Sequence, residues 1–275
     1  MSKDTIGFIG GGNMARSLVG GLVADGFPPS RIIVSEPDAD RRDALAAGFG
    51  IPVTRDNLDV AGAADVIVLA VKPQVMADVA RGIAAAIPGR SPLVVSIAAG
   101  VRTSDLAGWL GGYAAVVRAM PNTPALLRCG ATALFASAGV SPEQREQAES
   151  LLRAVGVVTW TDDEALMDVV TALSGSGPAY FFLLMECMAD AGTKLGLPRE
   201  QARLLTLETA LGAARMAIES ENDVADLRRS VTSPGGTTEA AMGCLENEGF
   251  RALVETAVGA ATDRSRELAE RLERK

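Results

Sequence analysis

The sequence predicts an α/β fold in two parts, a doubly wound parallel sheet over residues 1–163 and an all-helical part over residues 164–275. Two patterns carry this prediction. Short apolar segments alternate with helical segments as far as about residue 162, which is the layout of a parallel sheet with helices on both faces. Beyond that point strand signals vanish and helical patterns remain. We therefore expect two domains, although no linker marks the boundary.

The first part contains five predicted strands and the helices between them. The strands lie near residues 5–9, 31–35, 66–71, 93–97 and 115–119, and the helices near residues 13–25, 39–47, 73–87 and 103–110. The segment VIVLAV at 66–71 has no polar alternation, so helices should cover both of its faces. Two more extended segments, 131–136 and 157–160, flank a helix that starts at Ser141-Pro142 with a capping residue and a proline. They complete the predicted sheet.

The second part contains predicted helices near residues 163–173, 178–195, 198–220 and 248–272. Two of them open with a proline, Pro178 and Pro198. The segment 200–218 carries apolar residues on more than one face, which a lone small helical domain cannot bury. We therefore expect at least a homodimer, with this segment at the interface.

Composition and charge exclude several classes of protein. The chain has 275 residues and is 48% hydrophobic, enough for one large core or two moderate ones, so it is not disordered. No apolar run approaches 18 residues, and the first residues lack the pattern of a signal peptide. The net charge of −8 argues against nucleic acid or an anionic membrane as a partner. We expect a soluble, cytoplasmic protein.

The reactive side chains restrict the chemistry further. The chain has no histidine, which excludes a Ser-His-Asp triad, imidazole acid/base steps and His-ligated metals. Its three cysteines, Cys129, Cys187 and Cys244, have no CxxC spacing, and we interpret them as buried thiols in a reducing compartment. We expect no metal site. The chemistry that remains is the kind that an organic cofactor supplies.

The first motif that points to such a cofactor is TIGFIGGGNMA at residues 5–15. In Gly10-x-Gly12-x-x-Ala15, the first glycine makes a tight turn, the second lets a pyrophosphate approach the backbone, and the small Ala15 lets helix pack on strand. The motif follows a strand and opens a helix at Asn13 and Met14. It predicts a Rossmann-type domain that binds NADP or NAD; the alternative is a glycine-rich packing turn without a ligand. The second strand ends at Glu36, where an acidic residue usually meets the adenosine ribose.

Three further segments lie at strand ends, where a cofactor crevice forms in such sheets. They are Ala70-Val71-Lys72-Pro73, Ser96-Ile97-Ala98-Ala99-Gly100 and Met120-Pro121-Asn122-Thr123-Pro124. Lys72 is predicted to serve a phosphate, the alternative being a solvated charge. Pro73, Pro121 and Pro124 would fix the shape of these loops, and this structural role explains them as well as a direct contact with a ligand does.

The segment Ser233-Pro234-Gly235-Gly236-Thr237-Thr238-Glu239 combines a stiff entry, two glycines and a following helix marked by apolar spacing. Its backbone N–H groups would point outward with the positive end of the helix dipole behind them, which makes a cradle for a carboxylate or phosphate. The alternative is an ordinary loop before a helix.

Together these motifs resemble one family. The blocks, in order, are GFIGGGNMA at 7–15, AVKP at 70–73, SIAAGV at 96–101, RAMPNTPA at 118–125, LSGSGPAY at 173–180 and SPGGTTEA at 233–240. They resemble pyrroline-5-carboxylate reductase, and SPGGTT is the most specific of them. The resemblance implies hydride transfer from NADPH or NADH to the imine carbon of 1-pyrroline-5-carboxylate, giving L-proline in the last step of proline biosynthesis. It also implies a helical dimerisation domain, homodimers or larger rings of dimers, and active sites that two subunits share.

The resemblance also implies roles for individual residues. The substrate carboxylate would lie on Ser233, Gly235, Gly236, Thr237 and Thr238, and a hydroxyl such as that of Thr238 can orient the basic imine nitrogen or relay its proton. Glu164 and Ser230 would lie near the substrate, Asn57 near the adenosine ribose, and Ala98 and Asn122 on the nicotinamide side. For Glu164, a capping role alone is an open alternative.

The chain departs from the family pattern in three places. Before the substrate loop the family usually reads Pro-Gly-x-Leu-Lys-Asp, whereas this chain has Val-Ala-Asp-Leu-Arg228-Arg229, so position 228 keeps a cation and position 229 reverses a charge. Ser230 replaces an asparagine or apolar residue. Many relatives carry a small neutral residue in place of Glu36, whose carboxylate would repel a 2′-phosphate unless Arg41 or Arg42 offsets it. We therefore expect NADH to serve at least as well as NADPH.

Two other classes of function stay open at this point. One is a related dehydrogenase of β-hydroxyacids or imines, in which a helical lysine acts as acid and base; Lys194 is the candidate. The other is a non-catalytic nucleotide sensor that has kept the binding fold.

Overall fold

The computed structural model describes residues 4–273, which form two compact units. Unit 1 contains residues 4–176 and 261–273, and unit 2 contains residues 177–260. The predicted boundary between residues 163 and 164 lies inside unit 1. Asp168 and Ser265, from two separate parts of the chain, are hydrogen-bonded to each other in the interior of that unit.

Unit 1 is built on an eight-stranded sheet. Its strands are β1 (Ile6–Ile9), β2 (Ile32–Ser35), β3 (Val53–Thr54), β4 (Val66–Leu69), β5 (Leu93–Ser96), β6 (Val116–Met120), β7 (Gly130–Ala136) and β8 (Gly156–Trp160). The order is β3-β2-β1-β4-β5-β6-β7-β8, parallel throughout except that β7 pairs antiparallel with β6. β1 pairs with β2 on one side and with β4 on the other, so the carboxyl ends of β1 and β4 form the topological switch point where ligands bind in such sheets.

Twelve α-helices accompany the strands within the described residues. They are α1 (Asn13–Ala24), α2 (Ala39–Phe49), α3 (Asn57–Ala63), α4 (Pro73–Ile83), α5 (Thr103–Trp109), α6 (Pro142–Arg153), α7 (Leu166–Val170), α8 (Gly177–Lys194), α9 (Arg199–Glu219), α10 (Val224–Ser230), α11 (Thr237–Asn247) and α12 (Phe250–Glu273). A π-helical turn, Thr171–Gly175, follows α7. The predicted α/β architecture, a doubly wound sheet followed by helices, is confirmed.

The sheet is covered on both faces, as the apolar segment at 66–71 predicts. In β4, Val66 and Val68 pack into one buried cluster and Ile67 and Leu69 into another. The predicted cap of α6 is also present, because Ser141 and Gln144 exchange hydrogen bonds in a capping box. The sheet is therefore a rigid platform from which the loops at its carboxyl edge extend.

Three short elements were not predicted. Strand β3 has two residues and helix α3 has seven, too few for an apolar period to stand out. Helix α10 is also seven residues long and has no buried residue; Asp223 caps it by accepting from the Ala225 N–H. Each of these helices begins at an aspartate cap, a signal that the apolar pattern does not include.

The expectation of buried cysteines is wrong for the single chain. Cys129, Cys187 and Cys244 are free thiols and are exposed. Cys129 follows a surface turn, whereas Cys187 and Cys244 lie on α8 and α11, helices of unit 2 whose apolar residues are themselves largely uncovered. Within residues 4–273, no helix is long and apolar enough to cross a membrane, and no cluster of acidic or thiol side chains is arranged to hold a metal.

Candidate active site

The glycine-rich turn after β1 has the geometry that the motif predicts. Gly10 has φ +98°, and a Cβ there would lie 2.7 Å from the carbonyl oxygen of Ala70. Gly12 is the N-cap of α1, and no side chain caps the helix there. Among the described residues beyond its chain neighbours, no atom lies within 4 Å of the place that a Cβ on Gly12 would occupy. Ala15 is fully buried. The first glycine is thus required by the turn, and the second leaves space in front of the N–H groups of α1.

A cleft of about 460 Å³ opens in front of this turn. It is lined by Gly11, Gly12, Asn13, Arg16, Asp40, Arg41, Ala44, Leu45 and Lys72. Three cations, Arg16, Arg41 and Lys72, therefore line a cleft at the N-terminus of α1, which suits a pyrophosphate or a nucleotide phosphate. Arg16 was missed from the sequence, although it lies three residues after Asn13 and hence on the same helix face.

Glu36 lies at the carboxyl end of β2, and its carboxylate binds the glycine-rich turn. One oxygen accepts from the Gly11 N–H at 2.8 Å and the other from the Asp38 N–H at 3.1 Å. The residue is only 5% exposed. Glu36 therefore fixes the turn as well as placing a negative charge beside the cleft.

The two arginines after Glu36 have different surroundings. The Arg42 guanidinium donates to the backbone carbonyls of Glu36 at 2.6 Å and Pro37 at 2.8 Å. Arg41 lines the cleft instead. Of the two arginines, only Arg41 therefore borders the cleft within the described residues.

Asn57 and the segment after β4 lie at the same edge of the sheet. The Asn57 side-chain oxygen accepts from the Ser35 hydroxyl at 2.8 Å, next to the end of β2. The Ala70 N–H donates to the Ile9 carbonyl at 2.8 Å, which ties the end of β4 to β1. Lys72 is the N-cap of α4 and Pro73 is its first residue, with Val71 packed against the core.

Ala98 and Asn122 follow the next two strands. Ala98 is buried, and its N–H donates to the Ser96 hydroxyl at 3.4 Å. The Asn122 amide donates to the Ser174 carbonyl at 3.2 Å, and its oxygen accepts from the Ala131 N–H at 2.9 Å. Asn122 thus ties the end of β6 to the π-helical turn and to β7.

In unit 2, the segment 233–239 forms a turn that leads into α11. Gly235 has φ +71°, which favours glycine, whereas Gly236 has φ −87° and is the N-cap. A Cβ on Gly236 would lie 3.0 Å from the Ser233 carbonyl oxygen, so Gly236 is the close-approach position. Thr237 and Thr238 begin the helix, which has no side-chain cap at Gly236. Their N–H groups lie in the first turn of the helix, where the sequence predicts donors to an anion.

One donor of this cradle already has a carboxylate partner. The Gly235 N–H donates to Glu239 Oε2 at 2.7 Å. Glu239 is the third helical residue, from which a glutamate commonly reaches back to the start of its own helix. The sequence interpretation missed this contact, which that spacing signals.

The helix before the cradle is held by charged groups. The Glu246 carboxylate of α11 bonds to Arg228 of α10 at 3.0 Å and to Arg251 of α12 at 2.7 Å. The pKa of Glu246 is lowered from its ordinary value, chiefly by the hydrogen bond that it accepts from Arg251. Arg229 pairs with Asp226 inside α10, and the Ser230 hydroxyl donates to the Leu227 carbonyl at 2.7 Å. Both arginines of the divergent segment thus have local partners.

Glu164 lies in unit 1, and its carboxylate meets the start of α5. One oxygen accepts from the Thr103 N–H at 2.8 Å and the other from the Thr103 hydroxyl at 2.7 Å. The buried guanidinium of Arg118 lies 3.4 Å from the first of these oxygens. Glu164 therefore caps a helix that is distant in sequence.

Comparison with known proteins agrees with this geometry. Residues 164–268 match the family model described as pyrroline-5-carboxylate reductase dimerisation, and residues 5–100 match NADP oxidoreductase coenzyme F420-dependent. The chain is 57% identical to pyrroline-5-carboxylate reductase of Pseudomonas aeruginosa over 99% of both chains, and 44% identical to that of Synechocystis over 96% and 97%.

Solved structures give the same result. The pyrroline-5-carboxylate reductase of Coxiella burnetii superposes with a TM-score of 0.93 at 48% identity, covering 98% of this chain and 99% of that one. The pyrroline carboxylate reductase of Plasmodium falciparum, solved with NADP bound, superposes with a TM-score of 0.87 at 29% identity, covering 98% of this chain and 99% of that one. The chain belongs to the pyrroline-5-carboxylate reductase family.

Proposed function

We propose that this protein reduces 1-pyrroline-5-carboxylate to L-proline, the last step of proline biosynthesis, with NADPH or NADH as the hydride donor. The observation that carries the proposal is the cleft at the start of α1, where the open position at Gly12 faces Arg16, Arg41 and Lys72. This set fits the pyrophosphate of a dinucleotide. Family membership then supplies the substrate class.

The substrate demands little from the protein apart from binding and orientation. It is a small ring with one carboxylate and one C=N bond, and the bound dinucleotide supplies the hydride for the imine carbon. The N–H groups of the cradle hold the carboxylate by charge-assisted hydrogen bonds, each worth roughly 1.5–3 kcal/mol. The imine nitrogen is basic, so the Thr238 hydroxyl suffices to orient it or to relay its proton. This account needs no histidine.

The remaining site residues keep the roles that the resemblance implies. In unit 2, Ser230, Ser233, Gly235, Gly236 and Thr237 belong to the substrate side with Thr238. In unit 1, Gly10, Gly12, Asn13, Met14, Glu36, Asn57, Ala70, Val71, Lys72, Pro73, Ala98 and Asn122 belong to the dinucleotide side. For Glu164 the resemblance implies a direct contact with the substrate, whereas its own contacts are with Thr103 and Arg118.

The proposal extends to assembly and location. In the single chain, unit 2 has large apolar side chains on its surface. Among them, Phe181 is 64% exposed to solvent and Phe182 is 63% exposed. Such a surface supports a homodimer or a larger ring of dimers. The net charge of −8 supports a small-molecule substrate and not nucleic acid or an anionic membrane. We place the enzyme in the cytoplasm, where thiols stay reduced.

The test is an NAD(P)H oxidation assay with 1-pyrroline-5-carboxylate, with the imine omitted as the blank. Steady turnover supports the proposal and excludes a non-catalytic sensor. The rival dehydrogenase makes a different prediction, because there Lys194 is the acid and base. Lys194 is exposed at the end of α8. Turnover of a β-hydroxyacid that Lys194→Ala abolishes would contradict the proposal.

A further inference from the structure

Unit 1 contains a charged cluster formed by the buried Arg118, Asp168 and Ser265 and the partly buried Glu164, which we call the Arg118 cluster. The Arg118 side chain is 3% exposed and extends from β6. Its guanidinium lies 3.4 Å from the Glu164 carboxylate and 3.6 Å from the Asp168 carboxylate. The Ser265 hydroxyl of α12 donates to Asp168 at 2.7 Å. Removing one member of a buried cluster leaves its partners uncompensated, so these four side chains hold one another in place.

Glu164 connects this cluster to the loop of residues 97–102, between β5 and α5. Its two oxygens accept from the Thr103 N–H and from the Thr103 hydroxyl. Thr103 is the first residue of α5, and the N-cap residue Arg102 makes no side-chain capping bond. Glu164, which lies just before α7, therefore takes the place of a capping side chain for α5. Its negative charge lies at the positive end of that helix.

The same loop also approaches α12, the helix that carries Ser265. Gly100 has φ +74°, and a Cβ there would lie 3.5 Å from the backbone nitrogen of Ala269 in α12. Ser265, which bonds to Asp168, lies one turn earlier on that helix. Glu164 thus binds the residue at the end of the loop, and the middle of the loop passes close to the backbone of α12.

We propose that Glu164 is a positioning residue for hydride transfer. Through Thr103 it fixes loop 97–102, and with it Ala98, the residue assigned to the nicotinamide side. The inference rests on the proposed function. It gives Glu164 a role other than direct substrate contact, because both carboxylate oxygens are already engaged by Thr103 and one of them also by Arg118.

The experiment is a single-turnover measurement of hydride transfer by stopped-flow absorbance of the reduced nicotinamide, on the wild type and on Glu164→Gln. A first-order rate constant does not depend on the amount of folded enzyme, whereas the amplitude does. We expect the rate constant to fall by about 10- to 100-fold, because small misplacements of a reacting group are costly. The KM values for dinucleotide and imine should stay within about threefold of the wild type, since uniform binding is unchanged.

Two further variants make the result specific. Thr103→Val keeps the backbone bond to Glu164 and loses the hydroxyl bond, so its rate constant should fall by about two- to tenfold. Asp162→Asn makes the same acid-to-amide change as Glu164→Gln two residues earlier, at an exposed position, and should match the wild type.

An unchanged rate constant in Glu164→Gln, with only a reduced amplitude, would show that the cluster serves stability alone. A raised KM for the imine at an unchanged rate constant would show direct substrate contact. Either result overturns the inference. Failure of the wild type to reduce the imine would instead refute the proposed function.

Discussion

Glu36 is the residue on which we expect the choice between NADH and NADPH to depend. Its carboxylate lies beside the dinucleotide cleft and accepts from the N–H groups of Gly11 and Asp38. In this position it can also accept from a ribose 2′-hydroxyl, whereas a 2′-phosphate would meet a like charge. Glu36→Ser removes that charge together with the two backbone contacts.

The two effects have different magnitudes and different signatures. At about 4 Å and an effective dielectric constant of about 20, two unit charges repel by about 4 kcal/mol, and screening by solvent in the open cleft and by Arg41, which lines it, lowers this toward about 1 kcal/mol. Relief of that repulsion favours NADPH alone, and tenfold in the ratio corresponds to about 1.4 kcal/mol. Loss of the bonds to the glycine-rich turn costs about 1–3 kcal/mol and weakens both dinucleotides alike.

The assay compares kcat/KM for NADPH and NADH in the wild type, Glu36→Ser and Glu36→Gln. The wild type should use NADH at least as well as NADPH, and Glu36→Ser should shift the ratio toward NADPH by tenfold or more. Glu36→Gln removes the charge and keeps one acceptor, so it should shift the ratio with a smaller overall loss. Asp40→Asn is the control for a general charge effect, because Asp40 lines the same cleft. If the ratio of kcat/KM for NADPH to that for NADH is the same in all variants, Glu36 does not recognise the ribose, and the choice of dinucleotide depends on the arginines.

Three other outcomes follow from unit 2. Gly235 has φ +71°, and a Cβ on Gly236 would approach the Ser233 carbonyl. Gly235→Val and Gly236→Val should therefore each raise the KM for the imine by at least about tenfold, while dinucleotide binding, measured by fluorescence, persists. A wild-type kcat/KM in both variants would place the carboxylate site elsewhere. Thr238→Ala should lower kcat by about 100-fold, and a normal kcat with weakened dinucleotide binding would refute its role. The exposed apolar residues of unit 2 require at least a dimer, so a fully active monomer in light scattering at micromolar concentration would contradict the proposed assembly.

The sequence predicted the parts of the molecule that depend on local chemistry. The turn at Gly10 and Gly12 and the cap at Ser141 lie as their patterns indicate. The turn before α11 forms where the sequence predicts it, with a positive φ at Gly235 and with Gly236 close to Ser233. Two adjacent glycines permit a positive φ at either position, so the sequence could not decide between them.

Contacts between distant residues could not be predicted in the same way. Thr103 and Glu164 are 61 positions apart, and Asp168 and Ser265 are 97 apart. No local pattern shows that such residues meet, because only the sheet order and the return of α12 to unit 1 bring them together. The acidic run before α7 therefore gave no sign that one of its carboxylates caps α5.

The most direct test of the proposed reaction follows the hydride into the product. The purified enzyme is incubated with 1-pyrroline-5-carboxylate and a reduced dinucleotide deuterated at the transferred position, and the product is identified by chiral chromatography and mass spectrometry. We predict L-proline that carries a single deuterium on the former imine carbon. Absence of proline, or proline without the label, would contradict reduction of the C=N bond by hydride transfer from the dinucleotide.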